Sequence, residues 1–210
     1  MRFVQRFREP INTLTHGFGV LIGVVLAAAF VLRGRIHPTL LIFALSLVVL
    51  YAASSLYHGL RVSNIWVERL KKLDHSAIFV LIAGTYTPIL WVGLPNPWRW
   101  VALGAIWVTA IIGIALKFSL ELPEWVSLSL YVALGWVAVM LLPTFLGSLP
   151  RAAVIALVTG GVFYTLGVPF FASRRERHVL PGWGMHEIWH LFVLAGSAAH
   201  VVMVLSLPLA

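Results

Sequence analysis

The chain has 210 residues, 60% of them hydrophobic and only 10% charged, with a mean hydropathy of +0.96. A soluble domain of this length cannot hide so much apolar surface, so the composition points to an integral membrane protein. The net charge of +8 is scattered over short loops, which argues against nucleic-acid binding, and with no Cys there are no disulfides or thiolate metal sites.

Seven apolar runs are long enough to span a bilayer as helices, at about 13–32, 39–59, 73–92, 99–117, 126–145, 152–171 and 184–206. The expected fold class is an all-α seven-transmembrane bundle forming a single domain over residues 1–210. The first run follows Arg2, Arg6 and Arg8, and Ala27-Ala28-Ala29 resembles a signal-peptidase site. The run continues through Leu32, so a retained first helix is expected. Gly19 and Gly23 in this run have the spacing of a close helix contact. The second run carries Tyr51, Ser54, Ser55 and His58 at helical spacing. The third opens with Asp74-His75, and Asp74 is the chain's only Asp. The fourth to sixth are almost wholly apolar, and Pro88, Pro143 and Pro169 permit kinks in the third, fifth and sixth. The last opens with His186-Glu187-Ile188-Trp189-His190. Short connections carry the turn formers Pro38, Gly59, Pro95-Asn96-Pro97, Pro123, Pro150 and Pro181-Gly182.

Lys and Arg set the orientation. Eleven lie on the side of the N-terminus, including Arg174, Arg175 and Arg177, and Arg33, Arg35, Arg99 and Arg151 lie on the other. The N-terminus is therefore expected inside and the C-terminus outside, with the basic loops against anionic lipid of the inner leaflet. This topology brings His58, Asp74, His186 and His190 to one depth near the inner face, although none of them was used to set it.

Ionisable groups inside a membrane segment are costly and mark function by default. His186 and His190 are four residues apart, so their rings share one helix face with Cβ atoms roughly 6 Å apart. His58 can supply a third nitrogen. Three His ligands with an open fourth position make the pattern of a catalytic zinc site, and imidazoles without thiolate favour Zn2+, with iron, nickel and copper as alternatives. Asp74 is the preferred general base for a water at this site. Glu187, which completes an H-E-x-x-H pattern, is the second choice. Ser54, one turn from His58, either bonds its own helix carbonyl or holds a water or substrate oxygen. His16 is placed to join the cluster as a supporting donor. His75 should point away and pack, His200 is too deep and reads as structural, and His37 and His178 fall in loops.

A retinal protein needs a Lys in its last helix, and Lys117 is the last in the chain. Channels usually show polar stripes on several helices. Transporters often show repeats, and seven helices do not divide into equal halves.

Four motifs in order resemble those of bacterial hemolysin III proteins, which are related to the progestin and adipoQ receptors and more distantly to alkaline ceramidases. They are Glu9-Pro10-Ile11-Asn12 with Thr15-His16-Gly17, Ser54-Ser55 with Tyr57-His58, Leu73-Asp74-His75-Ser76 with Ile78, and His186-Glu187 with Trp189-His190. The resemblance runs from about residue 9 to 205. It implies a seven-helix fold in the bacterial inner membrane, with zinc on His58, His186 and His190, Asp74 near the metal through water, and Ser54 as a polar partner. It also suggests a lipid amide hydrolase, and the leading expectation is zinc-dependent hydrolysis of an amide or ester bond, with membrane lipids as substrate or ligand. The alternatives are a non-enzymatic regulator of membrane homeostasis with a structural zinc, or a cytolytic membrane protein.

Overall fold

A computed structural model describes residues 6–120, 122–173 and 183–209. Arg174, Arg175, Arg177 and His178, and the Pro181-Gly182 turn, lie outside the described residues. Among those described there are eight helices: α1 (Pro10–Leu32), α2 (Pro38–Gly59), α3 (Asn64–Gly93), α4 (Trp98–Ser119), α5 (Glu124–Met140), α6 (Leu142–Ser148), α7 (Arg151–Ala172) and α8 (Met185–Leu205). Six are long and apolar enough to cross a membrane, and α5 with α6 makes a seventh span if the bent pair counts as one. Proline opens α1 and α2 at a position where a helical N–H has no partner to lose.

Two elements differ from the sequence expectation. Helix α3 starts at Asn64 and not near residue 73, so Asp74 lies well inside it. The added stretch, Asn64–Leu73, holds Glu68, Arg69, Lys71 and Lys72. Its polarity reads as a loop on a hydropathy scale, yet these are good helix formers. The fifth run is two helices meeting at 49°. Pro143 has no N–H to give Val139, and its ring crowds that carbonyl, so the helix breaks at Leu141.

Consecutive helices pack side by side from α1 to α4, α7 packs on α8, and α1 meets α8. Helix α3 also touches α5, α6 and α8, which makes it the central element. Close approach of α1 to α2 depends on Gly19 and Gly23. A Cβ on Gly19 would lie 2.5 Å from the Tyr51 ring, and one on Gly23 would lie 2.8 Å from Val48. Tyr51 is thereby held between α1 and α8, where its hydroxyl donates to Ser197 Oγ at 2.7 Å. The second-run hydroxyls thus work between helices: Ser55 donates to Thr13 O of α1 at 3.4 Å.

Candidate metal centre and adjoining cavity

Three imidazoles meet where α2 ends and α8 begins. His58 occupies the last turn of α2, and His186 and His190 occupy the first two turns of α8 on one face. Their ring centroids form a nearly equilateral triangle, 5.1 Å for His58–His186 and 4.8 Å for each of the other two pairs. One ring nitrogen from each lies within 4.8 Å of the others, a group able to hold a metal ion. His58 and His190 are 2% and 1% exposed. Three imidazole dipoles desolvated together, with nitrogens facing one another, leave acceptor lone pairs without partners unless a cation or proton fills the space between them.

The other nitrogens are held from outside the cluster. His58 Nδ1 lies 2.6 Å from Glu9 Oε2. His190 Nδ1 faces Thr15 Oγ1 at 3.4 Å. Thr15 spends its hydroxyl proton on the Ile11 and Asn12 carbonyls, at 2.9 and 3.1 Å, so towards His190 it can only accept. His190 therefore carries its proton on Nδ1, and its Nε2 is bare. His186 Nε2 stands 3.4 Å from His58 Nε2.

Glu9 immediately precedes α1. Burial by itself would raise its carboxyl, but the His58 hydrogen bond, the Asn12 amide and the Arg8 guanidinium together hold it below the usual carboxylate range. Sequence reasoning assigned Glu9 no role. The available signal was an acid directly before the first apolar run, in the Glu9-Pro10-Ile11-Asn12 motif.

Asp74 and Ser54 interact with each other and stand beside the triad, outside its three members. Both line a cavity of about 480 Å³, together with His16, His75, His186 and His190. Glu187 is turned elsewhere. Its Oε2 accepts the Gly184 N–H at 2.9 Å, capping α8, and its Oε1 accepts from Asn12 Nδ2 at 3.1 Å. His16 stacks on His190, with centroids 3.6 Å apart and planes 11° from parallel. Neither of its nitrogens makes a well-formed hydrogen bond. It sits against the cluster, where the sequence placed it, but through ring stacking and not as the donor expected. His75 packs in the cavity wall near Phe171. His200 packs against Gly160, with Nε2 3.3 Å from Leu157 O, and His37 caps α2 through Thr39.

From the triad the cavity runs along α3 past Ile78, Ile82 and Tyr86 to Ile89, about 20 Å by helix rise. Its walls are almost entirely apolar. Trp136 and Val139 of α5, and Val158, Val162 and Leu166 of α7, line it while being 46–54% exposed themselves. The thin wall between α5 and α7 therefore faces the outer, apolar surface of the bundle. A slot of this length and lining suits a hydrocarbon chain whose polar end lies at the imidazoles.

Comparison with known proteins agrees with the motif resemblance. The family model described as Haemolysin-III related matches residues 4–201. Hemolysin-3 of Bacillus cereus is 35% identical over 206 residues, covering 94% of this chain and 90% of that protein. The Hemolysin-3 homolog of Bacillus subtilis is 33% identical over 204 residues, covering 94% and 92%. The adiponectin receptor protein of Drosophila melanogaster is 24% identical over 216 residues, covering 91% of this chain and 49% of the receptor.

Proposed function

The chain belongs to the haemolysin-III-related family, and from that premise we propose that it is a zinc-dependent hydrolase of an amide or ester bond in a membrane lipid. The observation that carries this reading is the junction of a three-imidazole cluster with an apolar cavity whose lining beside the cluster includes Asp74 and Ser54. A protein holding zinc only for stability has no need of a hydrocarbon-lined slot ending at the ligands. One of the three nitrogen pairs has the spacing zinc needs. Two nitrogens on one tetrahedral zinc, each about 2.1 Å from it, lie roughly 3.4 Å apart, and His58 Nε2 to His186 Nε2 is 3.4 Å. Zinc, when bound, supplies a Lewis acid for a carbonyl oxygen and an acidified water at neutral pH.

The protein's own groups would do the rest. His58, His186 and His190 would hold the ion. Asp74, the acid lining the cavity beside the imidazoles, would take the proton from the attacking water and pass it to the leaving group. Ser54 would orient the Asp74 carboxylate with its one hydroxyl proton. Glu187 serves this scheme less well, because both its oxygens are already bonded. The lipid would enter between α5 and α7, its chain along α3 and its linkage near the triad.

The topology belongs to the same proposal. The bent α5–α6 pair counts as one span, giving seven, with the N-terminus inside by the distribution of Lys and Arg. The site then lies at the inner leaflet of a bacterial cell membrane, within reach of linkages near lipid headgroups. The test is release of free fatty acid from a panel of ceramides, N-acyl amino lipids and phospholipids by pure protein in nanodiscs. Wild type should act on at least one class, chelation should stop it, and zinc should restore it. Wild type no better than His190→Ala across the panel would favour a regulator whose zinc is structural.

A further inference from the structure

We propose that Glu9 is a positioning residue for the metal centre, fixing the His58 ring so that Nε2 is the bare nitrogen offered to the ion. The inference rests on the metal part of the reading above and not on hydrolysis. It starts from where Glu9 is held. The Glu9 N–H donates to His58 O at 2.9 Å, and the Arg8 N–H donates to Gly59 O at 3.2 Å. The chain just before α1 is thus strapped to the last turn of α2, the turn that carries His58.

The side chain completes the argument. Glu9 Oε2 lies 2.6 Å from His58 Nδ1, a short contact of the charge-assisted kind. A carboxylate can only accept, so the proton sits on Nδ1, and the neutral ring keeps its lone pair on Nε2. That nitrogen is the one 3.4 Å from His186 Nε2. A histidine free of such a partner favours the opposite tautomer, with the proton on Nε2, where it would block an ion. A carboxylate on the distal nitrogen also raises the basicity of the imidazole as a ligand.

Glu9 is itself fixed from α8. Asn12 Nδ2 donates to Glu9 Oε2 at 3.0 Å and to Glu187 Oε1 at 3.1 Å. Both neighbours are carboxylates, so the amide can point only one way. Glu187 in turn holds the Gly184 N–H at 2.9 Å, two residues before His186. The path from His58 through Glu9, Asn12 and Glu187 to Gly184 ties the end of α2 to the start of α8. The two helices that carry the ligands are set relative to each other through residues of α1's first turn.

The test is metal affinity, measured by chelator competition with zinc and with cobalt on the full-length protein in nanodiscs. Glu9→Ala should lower affinity 10–100-fold and change the visible spectrum of bound cobalt. Glu9→Gln should lose less, because its amide oxygen still accepts from Nδ1–H. Asn12→Ala should give a smaller loss in the same direction. In a His58→Ala background, Glu9→Ala should cost much less than in wild type, because its contact to a ligand is gone and only its tie through Asn12 to α8 remains. Wild-type affinity in a folded Glu9→Ala protein would overturn the role, as would an equal further loss in the His58→Ala background, the mark of general packing. If Glu9→Ala does not fold, wild-type affinity and cobalt spectrum in Glu9→Gln and Asn12→Ala together would overturn it. Wild type without metal would overturn the metal reading, and this role with it.

Discussion

Where α1 begins, α2 ends and α8 begins, polar side chains of different elements bind one another; at the opposite end of the bundle, the hydrogen bonds between elements run from side chain to backbone. There, Arg35 reaches across to the carbonyls of Leu207 and Leu209, at 3.1 and 2.7 Å. Arg99 donates to Leu94 O at 3.1 Å and Ser148 donates to Gly93 O at 2.9 Å. Those donors close carbonyls left bare at helix and chain ends, as any membrane bundle must. At the first end Asn12 donates to Glu9 and Glu187, Thr15 donates to carbonyls of its own helix, and what faces inward is a set of imidazole nitrogens beside Asp74. Polar residues at a membrane boundary are not informative by being polar. Their partners distinguish closure of the fold from preparation of a site.

The largest expected effect tests that difference directly. Replacing His58, His186 or His190 by Ala should each nearly empty the metal site, because three ligands become two. Metal analysis of the purified variants checks this, with wild type expected near one zinc per chain. Full occupancy in all three variants would place any bound metal elsewhere. The next effect separates binding from chemistry. Asp74→Asn should keep the metal and lower hydrolysis by about 10²–10⁴-fold, since an amide cannot take a proton at neutral pH. An Asp74→Asn protein that loses its metal would make Asp74 a ligand. An active Asp74→Asn with an inactive Glu187→Gln would exchange their roles.

Much of the site was legible because membrane segments tolerate so few ionisable residues. His58, Asp74, His186 and His190 stand out of apolar runs, and the i, i+4 spacing and the alternation of helix direction were enough to bring them together. Glu9 was less visible. It lies outside the run, and its role depends on a contact to a residue 49 positions away. Glu187 was legible as part of a motif, but the motif cannot show that its oxygens cap α8 and meet Asn12. The cavity was not legible at all, because Ile78, Ile82, Trp136 and Val162 have the same chemistry whether they face lipid or a slot inside the bundle. The break at Leu141 illustrates the same limit. Pro88, Pro143 and Pro169 all permit a kink, yet α3 and α7 continue through theirs, since neighbouring packing decides the outcome.

The cavity offers a sharper and smaller effect. Gly135 and Gly161 line it, and a Cβ on either would meet nothing within 4 Å. Gly135→Leu and Gly161→Leu should therefore fill space at little cost to the fold and gain helix propensity. Turnover of long-chain substrates should fall about tenfold, short-chain substrates less, and metal content should not change. Gly160→Ala is the contrasting case, because its Cβ would collide with the His200 ring. It should lower thermal stability irrespective of substrate. Chain-length profiles identical to wild type in both Leu variants would remove the cavity from the substrate path.

The smallest effect belongs to the opposite end and serves as the control for the rest. Arg35 makes two charge-assisted hydrogen bonds to the chain's last turn, but the side chain is only half-buried. Water can replace much of what Arg35→Ala removes, so the cost should be about 1 kcal/mol rather than the full value of two buried bonds. For a chain of this size that is a fall of roughly 2–4 °C in Tm. Arg35→Lys should recover only part of it, because a single ammonium does not reproduce the guanidinium fork across two carbonyls. Metal affinity and hydrolysis should be untouched in both variants, since no residue of this contact reaches the triad or the cavity. A loss of metal in Arg35→Ala would mean that the two ends are coupled through α1 and α8. The division between an end that closes the fold and an end that prepares a site would then fail.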